Sequence, residues 1–284
     1  MSIRGRHARF RALRRAPVRA DRGLIAGARR PGATGTLGGM FDHVAIAVSD
    51  LAASERFYRT VLSALGIEPS HADAELVEWE DWDIGPTDRE HPVTRGLHVG
   101  FRAPSREAVD AFWQAGIDAG YRDDGAPGPR PVYGPDYYGG FLLDPDGNSA
   151  EAVHTERDDP VPDGQIDHLW IRVRDLAASR RFYTTIAPYA GLELGADEPD
   201  RVLLRGAGHS LSIVHDDRPP TEHVHIAFPA HDDATVRAFH AAAISAGYED
   251  HGGPGERAVY HPGYYGAFVL DPDGHNVEVV NHNR

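Results

Sequence analysis

Cysteine and lysine are both absent from this 284-residue chain, and each absence removes chemistry. Without cysteine there is no disulfide, no thiolate metal ligand and no cysteine nucleophile. Without lysine no Schiff base or lysine general base can form. Long apolar runs are missing as well. None approaches the ~18 residues a helix needs to cross a bilayer, so a soluble, cytoplasmic protein with no membrane partner is expected.

Positive charge is scarce outside one end. Residues 1–40 hold ten arginines against a single acid, Asp21, a balance of +9, and the remainder carries −23. An acidic body of that size repels polyanions, so a nucleic-acid partner is not expected. The leader shows no periodic apolar face, and no apolar segment follows Arg14-Arg15 as a twin-arginine signal would require. Residues 1–39 read as a disordered basic leader, because Met40 directly precedes the first strand-like segment.

What is present is a repeat. "DYYGGFLLDPDGNSAEAV" is nearly duplicated by "GYYGAFVLDPDGHNVEVV", with Asp144 and Asp271 offset by 127 residues. That period is about one domain long. The expected units are 40–158 and 165–284, joined by a linker at 159–164. Each half divides again. "FDHVAIAVSDLAASERFYRTVL" and "IDHLWIRVRDLAASRRFYTTI" start the halves, and "GLHVGF" and "HVHIAF" start their second parts. In every case an alternating strand leads to a capped amphipathic helix and then to short strands separated by Gly and Pro. Asp50 (or Ser49), Ser105 and Asp232 are the cap candidates. The class is α+β, with one strand–helix–strands plan used four times. "DPDG" itself reads as a tight turn, with proline and glycine at the positions that favour them.

Parity then singles out histidines. In the four opening strands the helix-facing residues are Val44/Ile46/Val48, Leu97/Val99/Phe101, Leu169/Ile171/Val173 and Val224/Ile226/Phe228. His43, His98, His168 and His225 have the opposite parity and point to the other face. Glu151 and Glu278 lie on the closing strands, each seven residues past the aspartate that opens "DPDG". Two modules curled into a cup can bring such groups together. Grouped by half, the candidate metal sets are His43, His98 and Glu151, then His168, His225 and Glu278.

In order and twice over, "DHVAIAV", "GLHVGF" and "DPDGNSAEAV", then "DHLWIRV", "HVHIAF" and "DPDGHNVEVV", resemble the vicinal oxygen chelate superfamily across about residues 41–281. That superfamily contains glyoxalase I, ring-cleaving extradiol dioxygenases and bleomycin-resistance-type proteins. The resemblance implies four βαβββ modules paired into two curved mixed sheets, each pair around a divalent metal. Its ligand positions fall on the six residues chosen by parity. It also implies a small-molecule substrate with adjacent oxygens chelated on Fe, Mn, Ni or Zn, which these ligand types do not distinguish. The runner-up is a resistance-type protein that binds without catalysis.

Further candidates come from "PG.R.VY.P.YYG", present in both halves as Arg130/Arg257, Tyr133/Tyr260, Tyr137/Tyr264 and Tyr138/Tyr265. Tyr137, Tyr264 and His261 are the catalytic candidates, with arginine available for a substrate carboxylate. Glu80 and Asp83 are possible fourth ligands, and Trp79, Trp82 and Trp170 possible pocket walls. The chain departs from the dioxygenase pattern where Phe141 and Phe268 replace a tyrosine, and where Gly134 stands opposite His261.

Overall fold

The computed structural model describes residues 39–156 and 165–283. Of the expected leader only residue 39 is described, and the expected linker lies outside the described residues. The first module comprises β1 (His43–Val48), α1 (Leu51–Ser63), β2 (His71–Ala72), β3 (Val77–Trp79) and β4 (Trp82–Pro86). The second comprises β5 (His98–Arg102), α2 (Arg106–Asp118), β6 (Arg122–Pro129), β7 (Tyr138–Leu143) and β8 (Ser149–His154). The third is β9 (Ile166–Arg172), α3 (Leu176–Ala190), β10 (Glu193–Asp197), β11 (Arg201–Gly206) and β12 (His209–Val214). The fourth is β13 (Val224–Pro229), α4 (Asp233–Ser245), β14 (Glu249–Glu256), β15 (Tyr265–Leu270) and β16 (Asn276–Asn281). None of the helices is long and apolar enough to cross a membrane.

Each helix starts where a short polar side chain can accept an orphan amide. Asp50 accepts from Ala53 N at 3.0 Å, Ser105 from Ala108 N at 3.2 Å, Asp175 from Ala178 N at 3.0 Å and Asp232 from Thr235 N at 2.7 Å. Such caps contribute about 1 kcal/mol apiece.

The strands form two eight-stranded mixed sheets, and their order corrects one expectation. The first runs β14-β15-β16-β13-β1-β4-β3-β2, the second β10-β11-β12-β9-β5-β8-β7-β6. Each sheet therefore joins modules from different halves: first with fourth, second with third. The seams are antiparallel, β1 against β13 and β5 against β9. Modules of the same half meet instead through their helices, α1 on α2 and α3 on α4. One continuous apolar core runs through the helix-facing side of all four modules.

The two repeated motifs interlock within each half. Tyr58 of "RFY" donates to Asp144 Oδ2 at 3.1 Å, and Tyr183 to Asp271 Oδ2 at 3.2 Å. Asp146 accepts from Ser49 N at 2.9 Å, and Asp273 from Arg174 N at 3.0 Å. "DPDG" is thus a hairpin turn and also the clasp between neighbouring modules. Trp79 and Trp82 are fully buried in the core against Tyr58, not in a pocket. Short β3 and β4 carry them on the face opposite that of the histidines.

Candidate metal centre

Because the sheets cross between halves, the six metal-ligand candidates regroup. His98 and Glu151 meet His168, and His43 meets His225 and Glu278. The grouping by half is corrected; parity placed each side chain on the right face but not beside the right neighbour. In the second sheet Gly100 stands in register with both His168 and Glu151, while His98 lies two residues along β5. Ala227 has the same station between His43 and Glu278 in the first sheet. A small residue is required there. A Cβ on Gly100 would lie 2.2 Å from His168 Cε1.

Around His98, Glu151 and His168 the separations are short and even. His98 Nε2 is 3.0 Å from Glu151 Oε2 and 3.1 Å from His168 Nε2, and His168 Nε2 is 3.2 Å from Glu151 Oε2. Two donors at about 2.1 Å from one ion and at right angles stand about 3.0 Å apart. The spacing fits one divalent cation held on a face by two imidazoles and a carboxylate. The other trio is looser, with His43 Nε2 3.1 Å from His225 Nε2 and 3.8 Å from Glu278 Oε2, and His225 Nε2 3.3 Å from that oxygen. Glu278 Oε2 is buried without a hydrogen-bond partner among the described residues.

The surrounding groups turn the donors inward. His168 Nδ1 donates to Asp167 at 3.1 Å and His43 Nδ1 to Asp42 at 2.9 Å. His98 Nδ1 donates to Ser149 Oγ at 3.1 Å, and that hydroxyl donates to Asp124 at 2.7 Å. With a proton pinned on Nδ1, each Nε2 is the atom turned to the centre, and on His168 an ion would take the place of the second ring proton. Tyr137 and Tyr264 each donate to the other oxygen of the glutamate, Oε1, at 2.8 Å. A Cβ on Gly139 or Gly266 would come within 2.3 or 2.4 Å of those same oxygens. The repeated "YYG" is therefore the seat of the carboxylate.

Burial works against charge in both trios, and the neighbours decide the outcome. His98 is held below the ordinary histidine value by burial, which outweighs the pull of Glu151. Burial would lower His168 too, but hydrogen bonds to Asp167 and Glu151 push it up to about 10. Burial would raise Glu151, yet bonds from His168 and His98 keep it below the usual carboxylate range. Glu278 goes the other way, raised by burial to about 7. Burial and the adjacent glutamate hold the Tyr137 and Tyr264 hydroxyls well above the ordinary phenol value, so both stay protonated donors.

A cavity of about 840 Å³ opens over His98, Glu151 and His168. Trp170, Tyr133, Tyr137 and Phe141 form aromatic walls, and Arg172, Arg201, Arg205 and Arg218 line the side built from the third module. The trio of His43, His225 and Glu278 is buried throughout. Other candidates land elsewhere. His261 stands outside the His43/His225/Glu278 trio and is linked to it through neighbours: its Nε2 is 2.8 Å from His282 Nδ1, His282 Nε2 is 2.8 Å from Asp42 Oδ2, and its ring packs edge-on against Tyr264. Arg130 and Arg257 donate to the carbonyls of Ala126 and Gly253 and lie over Phe141 and Phe268, contacts that brace their loops. Tyr138 donates to Asp110. Glu80 sits in the β3–β4 turn and accepts from Gln165, and Asp83 faces the concave side in register with Ala45.

Asp42, Asp167, Ser149 and the third-module arginines escaped the sequence reading. An aspartate before the histidine in both copies of "DH" was the available signal for the first two. Arg172 shares the parity of His168, which was the signal for the cationic wall.

The family model for the Glyoxalase/Bleomycin resistance protein/Dioxygenase superfamily matches residues 40–152 and 165–279. Among solved structures the chain is similar to glyoxalase I from Zea mays, at 19% identity over 85% of this chain and 92% of that one, with a TM-score of 0.60. It is also similar to a candidate dioxygenase from Bacillus subtilis, at 16% identity over 89% and 87%, with a TM-score of 0.58. At those identities the likeness is one of fold. A comparison with curated proteins finds no match.

Proposed function

Since the chain belongs to the Glyoxalase/Bleomycin resistance protein/Dioxygenase superfamily, we propose that it is a metal-dependent enzyme acting on a small substrate with two adjacent oxygens. The observation that carries this reading is the open trio: three donors 3.0–3.2 Å apart at the floor of a cavity. His98, Glu151 and His168 would hold the ion. When bound, it would supply Lewis acidity toward a chelating substrate, with coordination positions left over by only three protein donors.

The chain's own residues do the rest. Tyr137 keeps one carboxylate oxygen occupied so that the other faces the imidazoles. Asp167 and Ser149 fix the tautomers of His168 and His98. Trp170, Tyr133 and Phe141 give a planar substrate apolar surface to lie against and exclude water from the floor. Tyr137 and Tyr264 are positioning residues on this reading, and His261 belongs to the hydrogen-bonded surround of the buried trio. Phe141, without a hydroxyl, offers no proton beside His98, which favours lyase or isomerase chemistry over ring cleavage.

The test is metal analysis combined with turnover. Each trio is expected to hold one ion, about two per chain. His98→Ala should lower the content to about one and abolish turnover, while His225→Ala should lower it equally and spare most of the activity. A metal-free wild type that still binds its small molecule would establish sequestration instead. Turnover that is indifferent to oxygen is the expected result, and strict oxygen dependence would move the assignment to ring cleavage.

A further inference from the structure

The arginine wall of the open cavity is not uniform. Arg172 and Arg218 both pair with Asp216, at 3.2 and 2.7 Å. Arg201 pairs with Glu198 at 3.0 Å and lies 5.9 Å over the Trp170 ring. Arg205 makes no ion pair among the described residues, although Glu193 stands opposite it on β10, and it is exposed within the cavity lining. Its place is set by register: Arg205 stands opposite Ser210, and Ser210 opposite His168. The side chains of this row share the concave face. Ser210 and Ser212 also face the cavity, and their hydroxyls have no hydrogen-bond partner among the described residues. A polar track therefore leads from the trio across two strands to a guanidinium, about 10 Å at the usual strand spacing.

The first sheet provides an internal contrast. By the same register, Glu78 and Asp83 stand where the second sheet has Leu203 and Ser212. At these two stations the first sheet carries carboxylates and the second does not. The open cavity has acids of its own in Asp124, Asp136 and Glu156, so its cationic character is local to the third-module side, where Arg205 stands.

We infer that the substrate of the open site is an elongated organic anion, whose oxyanion group is held by Arg205 about 10 Å from the adjacent oxygens at the trio. This rests on the reading of the trio as a metal centre and adds the substrate's charge and length. Arg205 is a specificity residue, not a catalytic one. Its fork of donors suits a carboxylate or a phosphate, and the serines between can accompany a polar linker.

The probes are the monohydroxamate of suberic acid, which has two adjacent oxygens at one end and a carboxylate at the other, and its methyl ester. Binding is measured by calorimetry on metal-loaded and metal-stripped protein. The acid should bind the loaded protein on the order of tenfold more tightly than the ester. Arg205→Met should erase that difference and leave ester affinity and metal content unchanged. A phosphonate analogue of equal length distinguishes the two oxyanion classes, and preference for either supports the inference. Equal affinity of acid and ester for the wild type overturns it, as does a preference that survives in Arg205→Met. If the ester binds loaded and stripped protein alike, the metal-centre reading itself falls, and that failure is separately visible.

Discussion

At the scale of single residues, glycine is the tightest constraint on the open trio. Gly100 lies between the strands that carry His168 and Glu151, and the imidazole leans over it. In Gly100→Ala the new methyl must displace the ring, since the alternative is a 2.2 Å contact. Ala227 fills the equivalent station beside the looser trio, so the expected outcome is a spread trio with weakened metal binding at the open site, read by competition with a chelator, with the fold retained by circular dichroism. Tyr137→Phe is milder, because it removes only the bond to Glu151 Oε1. It should weaken metal binding by roughly ten- to a hundredfold, as loss of a ligand's supporting hydrogen bond typically does, read by competition with a chelator. The histidines and glutamates were legible in sequence because a strand's period of two assigns a face to every side chain. Gly100 was not legible, since its importance comes from side chains on two other strands.

At the scale of elements, the clasp between α1 and the "DPDG" turn joins two modules through one buried bond. Burial raises Asp144 above its ordinary value of 3.8, while bonds from Asn148 and Tyr58 pull the other way. A carboxyl raised in the folded state binds its proton more tightly there than in the unfolded chain. Its contribution to stability is present at low pH and is lost as pH rises from about 3.8 through the folded value. Tyr58→Phe removes a donor that favours the ionised form. It should therefore cost more at pH 7, about 1–3 kcal/mol, than at pH 3, where the carboxyl is protonated in both states. Chemical denaturation of both proteins at the two pH values checks this, and an equal cost at both would contradict it. The sequence exposed the turn chemistry, but the aspartate's second role depends on a helix 86 residues away.

At the scale of the molecule, the halves are not independent units, because every sheet contains a seam between them. His168 of the later half completes the site of His98 and Glu151, and His43 of the earlier half completes that of His225 and Glu278. A chain supplied as two fragments, 39–156 and 165–283, should consequently associate when co-expressed. The pair should migrate as one species in gel filtration and carry the same metal content as the intact protein. Fragments that separate, each keeping its own ion, would contradict the crossed seams.

The sequence by itself determined the duplication, the fourfold module plan, three of the four helix caps and the face on which each metal-ligand candidate stands. All of these follow from local periodicity and turn chemistry, which act over a few residues. Only the tertiary structure decided which histidine meets which glutamate, which trio is open, and which arginine of the cavity makes no ion pair. Strand adjacency is a long-range choice made by packing across the core, and a period of two records the face of a side chain without recording its neighbour.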